Sequence, residues 1–316
     1  MEQQSFHDKA IALYHKQLKT NELYSQFVGA IKPSTTEVNS LTGLPFLPIE
    51  FFKTHKVLAN KENIEAIFES SGTSQMQRAK HYISNLDFYK QHSMRLFQEA
   101  YGDPKDLCIL ALLPHYQQQG NSSLVCMVDH LIANTQHKSS GFFLDNNAGL
   151  YKTLLENIST NTTTILFGVT YALLDFAEAF TIPQNTCLSI IETGGMKGRG
   201  TELTREALHD ILCPAFGVNS IHSEYGMTEL LSQAYSKGKG IYKMNDSLRV
   251  LVRDVNDPFD IKTQGRGALN IIDLANIDSC AFIATQDQGE VFEDGTFTVS
   301  GRLDNSDMRG CSLLTA

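Results

Sequence analysis

Tryptophan is missing from the 316 residues, so no indole can report a bound ligand by fluorescence. A basic surface is missing too. Lys and Arg number 26 against 35 Asp and Glu, a formal net charge of −9, and no run of five like charges occurs. Nucleic-acid binders usually carry a basic domain or stripe, so DNA and RNA are not expected partners. The longest pure apolar run is Leu107 to Leu113, far short of the roughly 18 residues that read as a membrane span. The N-terminus, Met1-Glu2-Gln3-Gln4-Ser5, is polar and has no apolar signal core behind it. No CxxC pair, internal repeat or low-complexity tract is present. Of the six cysteines, Cys108, Cys126, Cys187 and Cys280 sit in apolar segments, where a free thiol behaves as a small hydrophobe. These absences together predict a reduced, cytoplasmic protein.

Hydrophobic residues make up 42% and charged residues 19%, an ordinary globular composition long enough for roughly two structural units. An amphipathic helix is expected over 8–26, then a loop at Lys32–Ser40. From residue 64 short apolar runs alternate with helical periodicity. Strands are expected at Ile64–Phe68, Leu107–Leu113, Phe142–Leu144, Thr164–Val169 and Leu188–Glu192. Helices are expected from Leu86 to a stop at Gly102, around Leu124–Ile132, at 147–158 and 171–180, and from a cap at Thr204 to Leu212. The alternation predicts an α/β fold with a mainly parallel sheet. After residue 214 the texture becomes β-rich, with strand-like Ser247–Arg253, Gly267–Asp273, Cys280–Thr285 and Thr296–Ser300 separated by turn signals. The expected division is an α/β part over 1–214, a nucleotide-binding and β-rich part over 215–304, and a mobile tail over 305–316.

Five segments carry residues of chemical interest. Ser70-Ser71-Gly72-Thr73-Ser74 leaves a strand, offering hydroxyls and backbone N–H groups that suit a phosphate, with Arg78 and Lys80 downstream. The same residues also make a solvated turn. Glu192-Thr193-Gly194-Gly195-Met196-Lys197-Gly198-Arg199-Gly200 is glycine-rich after a strand, through either close ligand approach or a tight turn. His222-Ser223-Glu224-Tyr225-Gly226-Met227-Thr228-Glu229 follows strand-like Val218–His222 and offers an aromatic face, a hydroxyl and a hard oxygen ligand suited to Mg²⁺. Thr285-Gln286-Asp287 ends a strand, and Gly301-Arg302-Leu303-Asp304 lies near the C-terminus. Singly, each of these is also an unremarkable strand end or surface turn.

In this order the segments resemble the signatures of the adenylate-forming enzymes, which join ATP to a carboxylate. The matches span about residues 68 to 304. Leu44-Pro45-Phe46-Leu47-Pro48-Ile49-Glu50-Phe51-Phe52-Lys53 and the ending Asp307-Met308-Arg309-Gly310-Cys311 are similar to one branch, the LuxE-like acyl-protein synthetases. The resemblance implies a large adenylation core and an ending soon after the hinge motif, without the mobile C-terminal domain and its catalytic Lys. It implies that Ser70, Ser71, Gly72, Thr73 and Ser74 hold ATP phosphates and that Gly194, Gly195 and Met196 flank the adenine and the acyl pocket. Within Glu224, Tyr225, Gly226 and Met227, Tyr225 stacks on adenine. Thr228 contacts the α-phosphate, Glu229 binds Mg²⁺, and Asp287 takes the ribose hydroxyls with Arg302 beside it. Phe142, Phe143, Met196 and His222 are expected to wall the acyl pocket. Cys311 is implied as the nucleophile that takes the acyl group as a thioester, with Arg309 favouring the thiolate. Gln75 stands where glycine is usual after the phosphate loop, which implies a stiffer or tilted loop, and Gln286 stands where the ribose motif usually has glycine. The implied reaction is ATP-dependent activation of a fatty or aryl carboxylic acid, with transfer to an acyl-accepting protein such as an acyl reductase or a carrier. A ligase using coenzyme A directly, and a non-catalytic nucleotide- or acyl-binding subunit, are the alternatives.

Overall fold

The computed structural model describes residues 5–31, 38–59, 63–70, 77–114, 121–194 and 203–303. Two sheets, each with its own hydrophobic core, and a separate hairpin organise the chain.

The first sheet has six strands in the order Gly141–Phe142, Cys108–Leu112, Thr164–Gly168, Leu188–Glu192, His222–Tyr225 and Ala234–Ser236. Every pairing is parallel except the last. Cys108–Leu112 and Thr164–Gly168 are buried at every position. Helices cover both faces of a parallel sheet, so its central strands read as unbroken apolar runs. The helices Leu86–Tyr101, Ser123–Asn134, Asn147–Ser159, Thr170–Ala179 and Arg205–Phe216 supply that cover. Asn85, Ser122, Asn146 and Thr204 each accept a backbone N–H at the start of theirs, satisfying donors the first turn leaves free.

The last of these helices runs past the expected Leu212 to Phe216, with Pro214 inside it. Fully buried Phe216 stacks on Phe176 at 5.1 Å, and Gly217 closes the helix in the left-handed region at φ +59. A Cβ on Gly217 would lie 2.2 Å from the Pro183 carbonyl oxygen. Both the conformation and the space therefore require glycine.

The second sheet has seven strands. Six run in the order Ile241–Lys243, Thr296–Arg302, Phe282–Val291, Gly265–Asp273, Leu248–Arg253 and Ile261–Lys262, all antiparallel. Leu47–Pro48 pairs with Phe282–Val291 in parallel. The N-terminal residues pack on this sheet, with Tyr24 stacked on Phe282 at 5.8 Å. The single helix expected over 8–26 is instead two, Phe6–Thr20 and Glu22–Ile31. Buried Asn21 makes the break. Its N–H closes the first helix on the Gln17 carbonyl, its Oδ1 accepts from the Tyr24 N–H, and its Nδ2 donates to the Ser279 carbonyl. Apolar periodicity is blind to a side chain that ends one helix and caps the next.

Ala66–Glu69 and Lys80–Ile83 form a separate antiparallel hairpin, from Ala66 opposite Ile83 to Glu69 opposite Lys80. Among the described residues no helix is long and apolar enough to cross a membrane.

Candidate active site

The strand expected at Val218–His222 instead occupies His222–Tyr225, inside the motif. Its antiparallel partner begins at Ala234, so residues 226–233 form the connection between them. The strand expected to stop at Thr285 runs on to Val291, which puts Asp287 in mid-strand opposite Arg302 of the neighbouring strand.

Three segments distant in sequence meet at the Asp287 carboxylate. The Tyr225 hydroxyl donates to Oδ2 at 2.8 Å and Arg302 Nε donates to Oδ1 at 3.1 Å. Tyr225 is 7% exposed and Asp287 6%. Burial, and next the negative charge of Asp287, push the Tyr225 hydroxyl well above its ordinary value, so it stays protonated and donates. The Tyr225 ring packs against Phe297 at 5.5 Å and Tyr242 at 5.7 Å.

The turn after Tyr225 is held from behind. His81 Nδ1 donates to the Thr228 carbonyl at 2.8 Å, and Asn276 Nδ2 donates to the Glu229 carbonyl at 2.8 Å. The first contact assigns the proton to Nδ1, because a carbonyl only accepts. Burial lowers the His81 pKa, which keeps the ring neutral near pH 7. Next along the chain, fully buried Asp273 accepts from the N–H groups of Leu231, Ser232 and Ala275 and from the Ser232 hydroxyl, at 2.6–3.1 Å. Four donors on one buried carboxylate fix this backbone firmly.

Glu229 is 6% exposed. Burial pushes its carboxyl up to about 7, against the pull of its own backbone N–H and of the positive charges on Arg302 and Lys53. Among the described residues no ion pair engages it. A desolvated hard oxygen donor of this kind fits a divalent cation, which would return it to the carboxylate form.

Glu224 leans back over Gly226, where an added Cβ would sit 2.2 Å from its Oε1. Burial and then the charge of Glu192 raise its pKa to about 8. Glu192 Oε1 accepts from the Gly194 N–H at 2.9 Å and from the Thr170 hydroxyl at 3.2 Å. Gly194 has φ +74 with open space where a Cβ would be, so its backbone conformation, rather than crowding, calls for glycine there. Met227 packs on the core of the second sheet.

In the hairpin, Ser70 pairs with Ala79: its N–H donates to the Ala79 carbonyl and its Oγ accepts the Ala79 N–H at 2.9 Å. The cations downstream are engaged by Glu69, with Lys80 Nζ at 3.5 Å and Arg78 Nη1 at 3.9 Å. Ser71, Gly72, Thr73, Ser74, Gly195, Met196, Lys197, Arg199, Arg309 and Cys311 lie outside the described residues.

The expected pocket walls are not all neighbours. Phe142 lies on the edge strand, four strand spacings from His222, or about 19 Å at about 4.8 Å each. His222 instead stacks on Tyr101 at 5.7 Å, with Nδ1 3.3 Å from the Tyr101 hydroxyl. Sequence reasoning also missed His81, Asn276 and Asp273. Only Asp273 left a signal, an acid inside the apolar run Ile271-Ile272-Asp273-Leu274.

The fold has counterparts among solved structures. The chain is similar to ATP-bound MatB from Rhodopseudomonas palustris, with a TM-score of 0.56 and 17% identity over 77% of this chain and 49% of that one. It is similar to 2-hydroxyisobutyryl-CoA ligase in an open conformation with 2-HIB-AMP and CoA, at 0.64 and 13%, over 95% and 69%. It is also similar to the O-succinylbenzoate coenzyme A synthetase MenE from Bacillus subtilis with AMP, at 0.51 and 15%, over 78% and 51%. The chain thus spans about half the length of MatB and MenE. No curated protein matches it in sequence. The family profile of the acyl-protein synthetase LuxE matches residues 2–316. With an adenylate-forming fold beneath the Tyr225–Asp287–Arg302 junction and that profile matched along nearly its whole length, the chain belongs to the LuxE acyl-protein synthetase family.

Proposed function

We propose that this protein activates a carboxylic acid, most simply a fatty acid, with ATP and passes the acyl group through Cys311 to an acyl-accepting protein. The junction of Tyr225, Asp287 and Arg302 carries this reading, because it assembles a polar anchor beside buried Glu229 from three distant segments. Asp287 accepts the ribose hydroxyls, and Arg302 holds the Asp287 carboxylate in place. Tyr225, Gly226, Met227, Glu224 and residues 194–196 border the adenine and the acyl chain, while Ser70–Ser74 and Thr228 engage phosphates. Glu229 holds Mg²⁺, which when bound supplies positive charge next to the phosphates. MatB, 2-hydroxyisobutyryl-CoA ligase and MenE are described with ATP, an acyl adenylate and AMP respectively, which supports a nucleotide in the equivalent place here.

In the first step a carboxylate oxygen attacks the α-phosphorus, the new O–P bond forms and pyrophosphate leaves with the electron pair of the broken bond. Two anions are being joined, so positioning and charge neutralisation supply most of the catalysis. In the second, the Cys311 thiolate attacks the acyl carbonyl and AMP leaves, giving a thioester on residues 305–316. A cytoplasmic setting fits Cys108, Cys126, Cys187, Cys213 and Cys280, all free thiols.

A second reading has direct transfer to coenzyme A. It is favoured by the 2-hydroxyisobutyryl-CoA ligase structure, which holds both an acyl adenylate and CoA. Intact-protein mass spectrometry after incubation with ATP, Mg²⁺ and a panel of aliphatic and aromatic acids separates the two. An acyl mass added to the wild type and missing from Cys311→Ser is the expected result. Acyl-CoA formation that survives Cys311→Ser would overturn the thioester route.

A further inference from the structure

Adenylation needs a cation near the phosphates, and among the described residues Arg78, Lys80 and Arg302 are each held by a carboxylate: Arg78 and Lys80 by Glu69 on the hairpin, and Arg302 by Asp287. A different residue stands in the right place.

Leu47–Pro48 runs parallel to the strand that carries Asp287, and the Ile49 N–H still donates to the Ala284 carbonyl, three residues before Asp287. The chain then turns into the short helix Phe51–Thr54. Phe52 is fully buried with its ring edge-on to His81 at 5.7 Å, and His81 is the residue that holds the Thr228 carbonyl. Lys53 follows directly. Its backbone is therefore fixed on one side by the Asp287 strand and on the other by the support of the 226–229 turn. Its side chain is half-buried and has no ion pair among the described residues. Its positive charge is felt at the Glu229 carboxyl, together with that of Arg302.

We propose that Lys53 is a catalytic residue, its ammonium binding phosphate oxygens of ATP while the acid attacks the α-phosphorus. The inference rests on the adenylation reading above. The O–P bond to the acid forms, the bond to pyrophosphate breaks, and the Lys53 ammonium neutralises the charge that builds on the oxygens. A lysine suits this role as a compact point charge on a flexible stem. Lys53 would also discriminate by charge, recognising a nucleotide for its phosphates and ignoring the nucleoside.

The test uses the full chain with Mg²⁺, comparing wild type, Lys53→Met and Lys53→Arg in two assays. Titration calorimetry reads ATP and adenosine separately, and acid-dependent ATP–pyrophosphate exchange reads the first half-reaction. Lys53→Met is expected to weaken ATP about tenfold or more, leave adenosine unchanged and lower exchange on the order of 100-fold. Lys53→Arg is expected to recover most of the ATP affinity, since the charge is kept. ATP affinity within about twofold of wild type in Lys53→Met would overturn the assignment, twofold being only ~0.4 kcal/mol. So would an equal loss of ATP and adenosine, which marks local damage rather than a lost phosphate contact. A wild type that binds ATP but exchanges with no acid refutes the adenylation reading instead, and the ATP–adenosine comparison still judges the phosphate contact.

Discussion

Replacing Glu229 by Gln is expected to make the protein more stable and less active, and the gain is expected to depend on pH. In the folded chain the Glu229 carboxyl is raised from the ordinary 4.5 to about 7, chiefly by burial. Below pH 4 it is protonated in both the folded and unfolded states, so it contributes no pH dependence. Between about pH 4.5 and 7 the unfolded chain has lost this proton and the folded chain keeps it. Unfolding then releases a proton, and stability falls as pH rises. Above pH 7 the penalty is complete: a rise of about 2.5 pH units at ~1.4 kcal/mol each is about 3.5 kcal/mol. Glutamine keeps the shape and has no charge to bury. Its advantage is therefore expected to be near zero at pH 4 and to approach about 3.5 kcal/mol at pH 8. The shift of Glu224 is common to both proteins and cancels in the difference.

Urea unfolding of wild type and Glu229→Gln at pH 4.5, 6, 7 and 8, without nucleotide or metal, reads this directly. Equal stability at every pH, or a variant advantage that shrinks as pH rises, would refute the burial argument. Mg²⁺ with ATP is expected to stabilise the wild type more than the variant at pH 8, because the cation removes the penalty. Acid-dependent ATP–pyrophosphate exchange is expected to fall by about 100-fold or more in the variant. A site that gives up stability for function behaves in this way.

Two further substitutions test the scaffold. Asp273→Ala leaves four buried donors without their acceptor and is expected to lower stability by about 3 kcal/mol or more, read by urea unfolding at pH 7; a loss below about 1 kcal/mol would mean the network does not hold the 226–233 segment. Tyr225→Phe removes one donor to Asp287 and is expected to raise the KM for ATP severalfold with a stability loss of about 2 kcal/mol; a KM for ATP equal to that of wild type would detach Tyr225 from ribose positioning.

The parallel sheet was legible in the chain because its strands are buried on both faces. Cys108–Leu112 and Thr164–Gly168 stand out as largely apolar runs, and Asn85, Thr204 and Gly102 mark helix ends through local backbone chemistry. Where one side chain overrides periodicity, the reading failed. Asn21 splits a helix that looks continuous, and the β-rich strand continues through Asp287 because its neighbour at 296–302 pairs with it. The site was legible as pieces. Tyr225, Glu229, Asp287 and Arg302 each sit in a short motif, and their order along the chain was enough to raise a resemblance to adenylate-forming enzymes.

What the sequence determined by itself was therefore whatever depends on near neighbours: helix and strand periods, caps, and the residue types within each motif. What only the tertiary structure decided was which motifs touch and what stands behind them. That the Tyr225 hydroxyl and Arg302 close on one carboxylate, and that His81 and Asp273 hold the backbone at 228–232, depend on contacts between residues far apart in the chain. Such contacts leave no local pattern, because the free energy that favours them comes from burial and hydrogen bonding between segments that meet only once both sheets have formed.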